Sequence, residues 1–127
     1  MSDIETVSTT AAPAAIGPYS QAVIGGGQVY CSGQIALDPM SGEIMANDVR
    51  EQTHQVFRNL GAVLAEAEVD LSRVVKTTVY LSTMDDFPIV NEIYAEYFGD
   101  HRPARATVAA AGLPKGALVE IDCVALL

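Results

Sequence analysis

Arg105 is the residue whose type and setting point most directly to chemistry. It lies in residues 103–108, where a loop is predicted to lead into an apolar strand, in a chain with only seven lysines and arginines. A guanidinium stays charged and offers a planar set of donors that matches a carboxylate or a phosphate. The segment therefore predicts an anion clamp. The alternative is an ordinary ion pair with an acidic neighbour at a surface turn.

Glu120 is the second candidate, because a carboxylate can orient and partly deprotonate an attacking water molecule. It lies in the last predicted strand, residues 118–127, on the face opposite Val119 and Ile121,. A salt bridge to Arg105 or Lys115 is the structural alternative, and the residues alone favour neither role.

Three further positions have a binding role and a structural role open to them. Tyr19 follows Gly17 and Pro18 on a stiffened segment and can close a pocket, although simple packing is the commoner fate of such a ring. Ser32 can bond to backbone instead of ligand. Gly33 marks either a bend in the sheet or a point where substrate approaches the main chain.

The sequence lacks the residue patterns that metal-dependent or nucleophilic catalysis requires. Cys31 and Cys123 fall in separate predicted strands without metal-ligand spacing, and the only histidines are His54 and His101. Two buried thiols are favoured over a disulfide or a zinc site. No Gly-x-Ser-x-Gly motif or paired nucleophile and histidine occurs, which argues against acyl transfer and metal-dependent hydrolysis and predicts no metal ligands.

Length and charge narrow the class of protein. The 127 residues suffice for a single domain, residues 1–127, and the net charge of −9 argues against nucleic acid as a main partner,. The first residues are acidic and no apolar run approaches the roughly 20 residues that cross a bilayer. We therefore expect a cytoplasmic protein that does not enter membranes.

The elements that position the candidates alternate between strands and helices. A hairpin is predicted over residues 21–37 around Gly25–Gly27, a helix from about residue 48 to 68, a strand over 73–81 and a second helix from residue 85 to Gly99,. Two final strands follow. This is an α+β pattern in which two helices cover one face of a sheet, so the other face needs a partner subunit, of unspecified number.

Four segments occur in an order and spacing that are more specific than any one of them. They are Ile-Gly-Pro-Tyr-Ser-Gln-Ala (16–22), Ser-Gly-Gln-Ile (32–35), Pro-Ala-Arg-Ala-Thr-Val (103–108) and Leu-Pro-Lys (113–115) with Val-Glu-Ile (119–121). With residues 75–79 and 90–92 they closely resemble the reactive-intermediate deaminase family, RidA, also called the YjgF family. The resemblance covers nearly the whole chain.

The resemblance implies an α+β fold like that of a small trimeric chorismate mutase. A mixed sheet carries two helices on one face, and a homotrimer holds its sites in the clefts between subunits. It also implies hydrolysis of 2-enamine or 2-imino acids, products of pyridoxal-phosphate lyases, to 2-oxo acids and ammonia without a cofactor. The alternative is a non-catalytic trimer that binds small carboxylates or proteins, or a ribonuclease or translation inhibitor like some relatives.

The resemblance also assigns roles to residues. The residue matching Arg105 binds the substrate carboxylate, Glu120 is the second catalytic candidate, and the positions matching Tyr19, Ser32, Gly33, Asn91 and Glu120 line the pocket. Asn91 on a helix face is otherwise expected to be solvated or capping. Many relatives carry a cysteine where this chain has Thr107, so Thr107 is counted with the substrate-binding positions and no thiol acts there.

Overall fold

The computed structural model describes residues 3–127, which form a mixed six-stranded sheet and two α-helices. The strands are β1 (Glu5–Val7), β2 (Ala22–Gly25), β3 (Gln28–Gln34), β4 (Val74–Leu81), β5 (Ala104–Ala109) and β6 (Val119–Leu126), and the helices are α1 (Val49–Glu66) and α2 (Phe87–Phe98). The strand order is β1-β2-β3-β6-β4-β5. Only β4 and β5 pair in parallel. The predicted α+β class is confirmed.

The predicted hairpin is formed by β2 and β3. Gly26 and Gly27 make its turn with φ values of 59° and 76°, a left-handed backbone that matches the twist of the paired strands,. Strand β3 ends at Gln34, earlier than predicted, and its register with β6 shifts between Cys31 and Gln34. The short edge strand β1 was not predicted from the sequence.

Helix α1 begins where the sequence predicts it. The Asp48 carboxylate accepts a hydrogen bond from the N–H of Glu51 at 2.9 Å, which satisfies a free donor of the first turn,. Val56, Leu60 and Leu64 on its apolar face are buried. This face packs on β3 and β6 and fixes the helix against the centre of the sheet.

Helix α2 connects the two parallel strands β4 and β5. It ends at Gly99, whose φ of 61° suits glycine,. Tyr94 and Phe98 are buried and pack around Phe57 of α1. The prediction that the aromatic stripe of this helix belongs to the core is confirmed, and it places both helices on the same face of the sheet.

The predicted faces of β4 are wrong at its first two residues. The alternation places Val75 with Thr77 and Val79, yet Val74 is fully buried and Val75 is exposed. A register shift between Val74 and Lys76, opposite β6, inserts one residue and reverses the faces at this end,. From Lys76 onward the predicted alternation holds.

Cys31 and Cys123 lie directly opposite each other in the pairing of β3 with β6. Both are buried free thiols, as predicted. A hydrogen bond with Cys31, together with burial, raises the pKa of the Cys123 thiol. Both side chains are therefore part of the core.

The face of the sheet away from the helices carries no layer of its own within residues 3–127. Large apolar side chains there, such as Tyr30 and Val108, are 48% and 46% exposed. Strand β5 is the last strand of the sheet and has one unpaired edge. No helix in the described part of the chain is long and apolar enough to cross a bilayer.

Candidate active site

All the predicted site residues except Thr107 fall into two clefts of one chain. The first, here the arginine cleft, has a volume of about 480 Å³ and is lined by residues that include Asn91, Tyr94, Phe98, Arg102 and Arg105. The second, here the glutamate cleft, also has a volume of about 480 Å³ and is lined by residues that include Tyr19, Ser32, Gly33, Lys115 and Glu120. Each cleft has one of the two candidate catalytic residues that the sequence singles out, Arg105 in the first and Glu120 in the second.

Arg105 is the second residue of β5 and faces helix α2. Its Cα is paired with that of Thr77 in β4, whose side chain points into the helix-covered core. The Nη1 group of Arg105 donates a hydrogen bond of 2.7 Å to Oδ1 of Asn91. No acidic partner is paired with Arg105 within residues 3–127. The predicted alternative, an ion pair with an acidic neighbour, is therefore not formed.

Two aromatic rings also hold the guanidinium of Arg105. Its central carbon lies 4.8 Å from the ring centre of Tyr94 and 5.4 Å from that of Phe87. Each such contact contributes about 0.5 to 1 kcal/mol at an exposed site. The hydroxyl of Tyr94 in turn shares a 2.7 Å hydrogen bond with Oγ1 of Thr77. Strand β4 thus fixes the ring against which Arg105 lies.

Sequence reasoning missed Phe87 and Tyr94 as site residues, since it assigned the aromatic stripe of α2 only to the core. Phe87, Asn91 and Tyr94 are spaced four and three residues apart, so they share one side of the helix,. The signal that identifies this side is the amide of Asn91 between two aromatic residues. An apolar stripe interrupted by one polar side chain, opposite an arginine-bearing strand, indicates a binding surface.

Glu120 lies on the opposite face of the sheet and packs directly on Gly33. A methyl group built at Gly33 would lie 2.9 Å from Cδ of Glu120, closer than such contacts are found, and 3.1 Å from its Cγ. The carboxylate has no hydrogen bond or ion pair within residues 3–127, and the Lys115 ammonium instead donates to the Gly42 carbonyl at 3.0 Å. The salt bridges considered from the sequence are absent there.

The electrostatic setting of Glu120 favours its protonated form more than water does. The carboxyl is half-buried, and Asp122 carries a second carboxylate two residues along β6. Loss of hydration and, next, repulsion from Asp122 raise the pKa of Glu120,. A carboxylate of raised pKa is a stronger base when it is ionised.

Ser32 and Tyr19 are brought to the same cleft by the segment before β2. The Ser32 hydroxyl donates to the carbonyl of Ser20 at 2.6 Å, so the backbone bond considered from the sequence is formed. The irregular register leaves Ser32 and Gly33 without partners in β6, which frees this part of β3 to border a cleft. Tyr19 is 55% exposed, so its ring is not packed in the core and can contact a ligand in the cleft.

Thr107 lies two residues beyond Arg105 on β5, opposite Val79. Its Oγ1 is buried and has no hydrogen-bond partner within residues 3–127. Such an unpaired group is costly in a folded protein and calls for an explanation. Thr107 is not among the residues that line either cleft.

One chain does not bring Arg105 and Glu120 together. Arg105 is paired with Thr77 on the helix face, whereas Glu120 is paired with Tyr80 on the open face. The two side chains therefore point away from opposite sides of the sheet, with β4 between their strands,. A site that uses both groups needs contributions from two copies of the chain. Residues 3–127 contain no cluster of three or more potential metal ligands from histidine, cysteine, aspartate and glutamate.

Residues 9–127 match the model of the family described as endoribonuclease L-PSP. The chain is 49% identical to a protein of Homo sapiens named 2-iminobutanoate/2-iminopropanoate deaminase, in a match that covers 94% of this chain and 88% of that protein. It is 51% identical to the protein of the same name in Mus musculus, in a match that covers 96% of this chain and 90% of that protein. The crystal structure of a putative endoribonuclease L-PSP from Entamoeba histolytica is similar with a TM-score of 0.95 and 52% identity, covering 98% of this chain and 99% of that one. The crystal structure of E. coli TdcF with bound serine is similar with a TM-score of 0.91 and 37% identity, and the match covers 97% of this chain and 98% of that one.

Proposed function

Because the chain belongs to the RidA/YjgF family, described as endoribonuclease L-PSP, we propose that it is a reactive-intermediate deaminase. It hydrolyses 2-imino acids, and the 2-enamino acids from which they form, to 2-oxo acids and ammonia. The names and near-full-length identity of the human and mouse relatives support this activity. The observation that carries the mechanism is the Glu120 carboxylate, which is half-buried and unpaired on top of Gly33.

Arg105 binds the carboxylate of the substrate. Within the described residues only Nη1 is engaged, by the neutral amide of Asn91, so the other N–H groups are available for a two-pronged contact. The rings of Phe87 and Tyr94 hold the guanidinium plane. A carboxylate fixed in this way places the adjacent C=N carbon at a defined position.

Glu120 activates the water molecule. Its carboxylate accepts a proton from the water as the oxygen bonds to the C=N carbon, and the electron pair of the π bond moves to nitrogen. Glu120 returns this proton to the nitrogen, which gives an intermediate with a hydroxyl and an amino group on the same carbon. The hydroxyl proton then passes through Glu120 to the amino group, the C–N bond breaks, and ammonia leaves as the oxygen's electrons form the C=O bond of the 2-oxo acid. A base of raised pKa suits this exchange of protons,. Water is the nucleophile and the imine the electrophile, so we propose no cofactor.

The protein acts as a homotrimer with sites between subunits. Two features support the assembly: the opposite orientation of Arg105 and Glu120 and the exposed apolar residues of the open face. In a closed ring the arginine cleft of one copy meets the glutamate cleft of the next. Tyr19, Ser32 and Gly33 then complete the walls around the substrate.

We also propose a cytoplasmic location. Two free thiols face each other in the pairing of Cys31 and Cys123. Adjacent reduced thiols suit a reducing compartment.

The test supplies the imine from serine or threonine with a pyridoxal-phosphate dehydratase and follows release of the 2-oxo acid. The wild-type protein is expected to accelerate release above the spontaneous rate. Arg105→Ala is expected to lose about 1.5 to 3 kcal/mol of charged hydrogen bonding, roughly ten- to a hundredfold in kcat/KM. A protein that binds 2-oxobutanoate yet leaves the imine's decay unchanged would be a sensor and not a deaminase.

A further inference from the structure

Thr77 places a hydroxyl group in the core between the sheet and helix α2. It is 1% exposed, and its Oγ1 shares a hydrogen bond of 2.7 Å with the hydroxyl of Tyr94, which is 7% exposed. Each of the two buried groups satisfies the other. Valine and phenylalanine, which have similar shapes, would fill the same space with no polar group to satisfy. Packing alone therefore does not explain why this part of the core is polar.

The position of Thr77 in the sheet connects it to the arginine cleft. Its Cα is paired with that of Cys123 in β6 on one side and with that of Arg105 in β5 on the other. Directly opposite residues have their side chains on the same face of a sheet, so these three form one row on the face that the helices cover. Thr77 is thus the neighbour of Arg105 within the sheet and the hydrogen-bond partner of Tyr94 above it.

The ring of Tyr94 is held by two aromatic neighbours and one hydrogen bond. Phe57 meets it edge-on with 5.9 Å between the ring centres, and Phe98 lies tilted with 4.6 Å between the centres. The hydroxyl at the far end of the ring is bound to Thr77. A hydrogen bond is more directional than an apolar contact, so this bond determines where the end of the ring points.

The type of residue at position 77 fits this task. Threonine has two heavy atoms on Cβ, which restrict χ1 and present the hydroxyl in a defined direction. Burial raises the pKa of Tyr94, so the phenol keeps its proton and the bond persists around neutral pH,. Both groups are buried within one chain, so their bond does not depend on how copies of the chain assemble.

The orientation of the guanidinium determines how Arg105 binds a carboxylate. Its Nη1 is bound to Asn91 at 2.7 Å, and its central carbon lies over the ring of Tyr94 at 4.8 Å from the ring centre. A two-pronged contact requires the carboxylate and the guanidinium to lie in one plane. If the ring tilts, the guanidinium that lies against it tilts as well, and one of the two hydrogen bonds to the carboxylate is lost.

We propose that Thr77 is a positioning residue for substrate binding. Its hydroxyl holds the ring of Tyr94, and the ring holds the guanidinium that binds the substrate carboxylate. Thr77 is not among the lining residues of either cleft and acts only through Tyr94 and Arg105. The inference rests on the role that the proposed function gives to Arg105, and it adds a residue of the core to that role.

The experiment measures the dissociation constant of 2-oxobutanoate by titration calorimetry, beside the melting temperature, on the full chain. Thr77→Val keeps the shape and removes the hydroxyl, so we expect the dissociation constant to rise about tenfold, as for one lost hydrogen bond to a charged group. Thr77→Ser keeps the hydroxyl, so we expect binding within about twofold of wild type although loss of a buried methyl lowers the melting temperature. Thr53→Val is the matched control, because Thr53 is buried and its hydroxyl donates to the Val49 carbonyl of its own helix at 2.7 Å. Its binding is expected to be unchanged.

A double variant separates positioning from stability. Thr77→Val and Tyr94→Phe each leave one buried hydroxyl unpaired, so each alone lowers the melting temperature. The variant with both changes has no unpaired hydroxyl, and its melting temperature is expected to return towards the wild-type value. Its dissociation constant is expected to stay about tenfold raised, because the ring is still without its bond. This variant decides the matter if circular dichroism shows that Thr77→Val alone is poorly folded.

The outcomes keep this inference apart from the deaminase function. A wild-type protein that binds 2-oxobutanoate but does not accelerate hydrolysis of the imine overturns the deaminase function alone, since binding by the variants still tests Thr77. Dissociation constants that follow the melting temperatures across the variants, or a folded Thr77→Val protein that binds as tightly as wild type, overturn the inference alone. A wild-type protein that binds no 2-oxo acid overturns both.

Discussion

Replacing Gly33 by alanine is expected to disable the protein through one methyl group. Gly33 is not among the glycines with positive φ, so its backbone accepts alanine. The methyl, however, would lie 2.9 Å from Cδ of Glu120. The carboxylate must therefore move away from the place where it holds the attacking water.

The size of the effect follows from the displacement. Forcing the Glu120 side chain off its preferred rotamer costs about 0.5 to 1.5 kcal/mol. A shift of about 1 Å in a catalytic group lowers the rate about a hundredfold. We therefore expect Gly33→Ala to reduce kcat about a hundredfold with KM changed much less, because Arg105 still binds the substrate carboxylate. The melting temperature is expected to fall by only about 4 °C per kcal/mol.

The assay is steady-state release of 2-oxo acid from the imine, run beside thermal denaturation. Gly61→Ala is the matched control, since a methyl at Gly61 in α1 has nothing within 4 Å. It is expected to keep full activity and to stabilise the fold by about 0.5 to 1 kcal/mol. If Gly33→Ala kept wild-type kcat while its structure showed Glu120 displaced, the role given to this carboxylate would be wrong.

Three other changes test the electrostatics and the anchoring of the site. The pKa of Glu120 is raised in the folded chain, so its ionised form destabilises the fold,. At a pH above that pKa, Glu120→Gln is therefore expected to raise the melting temperature. At a pH well below the ordinary pKa of a glutamate it is expected to have no effect, and thermal denaturation over a pH series checks both results. Asp122→Asn removes the negative charge beside Glu120 and is expected to lower the pKa of Glu120,. The acid limb of the plot of kcat/KM against pH then shifts to lower pH. An acid limb that does not move would exclude Glu120 as the titrating base. Gln21→Ala leaves the buried carbonyl of Pro13 and the partly buried carbonyl of Thr9 unpaired, and we expect the free energy of unfolding from urea denaturation to fall by about 2 kcal/mol or more,. A change below about 0.5 kcal/mol would contradict the role of Gln21 in anchoring the segment before β2.

The sequence predicts most of the elements because their signals are local. The apolar periodicity of α1, its Asp48 cap and the glycine turn before β3 each act within a few residues,. The start of β4 was predicted wrongly because its faces depend on a register shift opposite β6. That shift is set by pairing between distant segments, and alternation along one strand does not contain it.

The candidate site was predicted unevenly for a similar reason. Residue type was enough to single out Arg105 and Glu120. Their separation on two faces follows from the parallel pairing of β5 with β4, which only the folded sheet defines. The supporting roles of Phe87 and Tyr94 were missed because an aromatic residue on an amphipathic helix is usually assigned to the core.

The most direct test of a shared site is to mix two inactive variants, Arg105→Ala and Glu120→Gln. Each variant alone is expected to be nearly inactive. After unfolding and refolding at equal concentrations, a heterologous ring has an intact arginine from one copy facing an intact glutamate from the next at about one quarter of its sites. The mixture is therefore expected to recover about a quarter of the wild-type activity. Activity that stays at the level of the separate variants, with mixed oligomers shown by mass spectrometry, would place both groups in one chain's site and contradict the account.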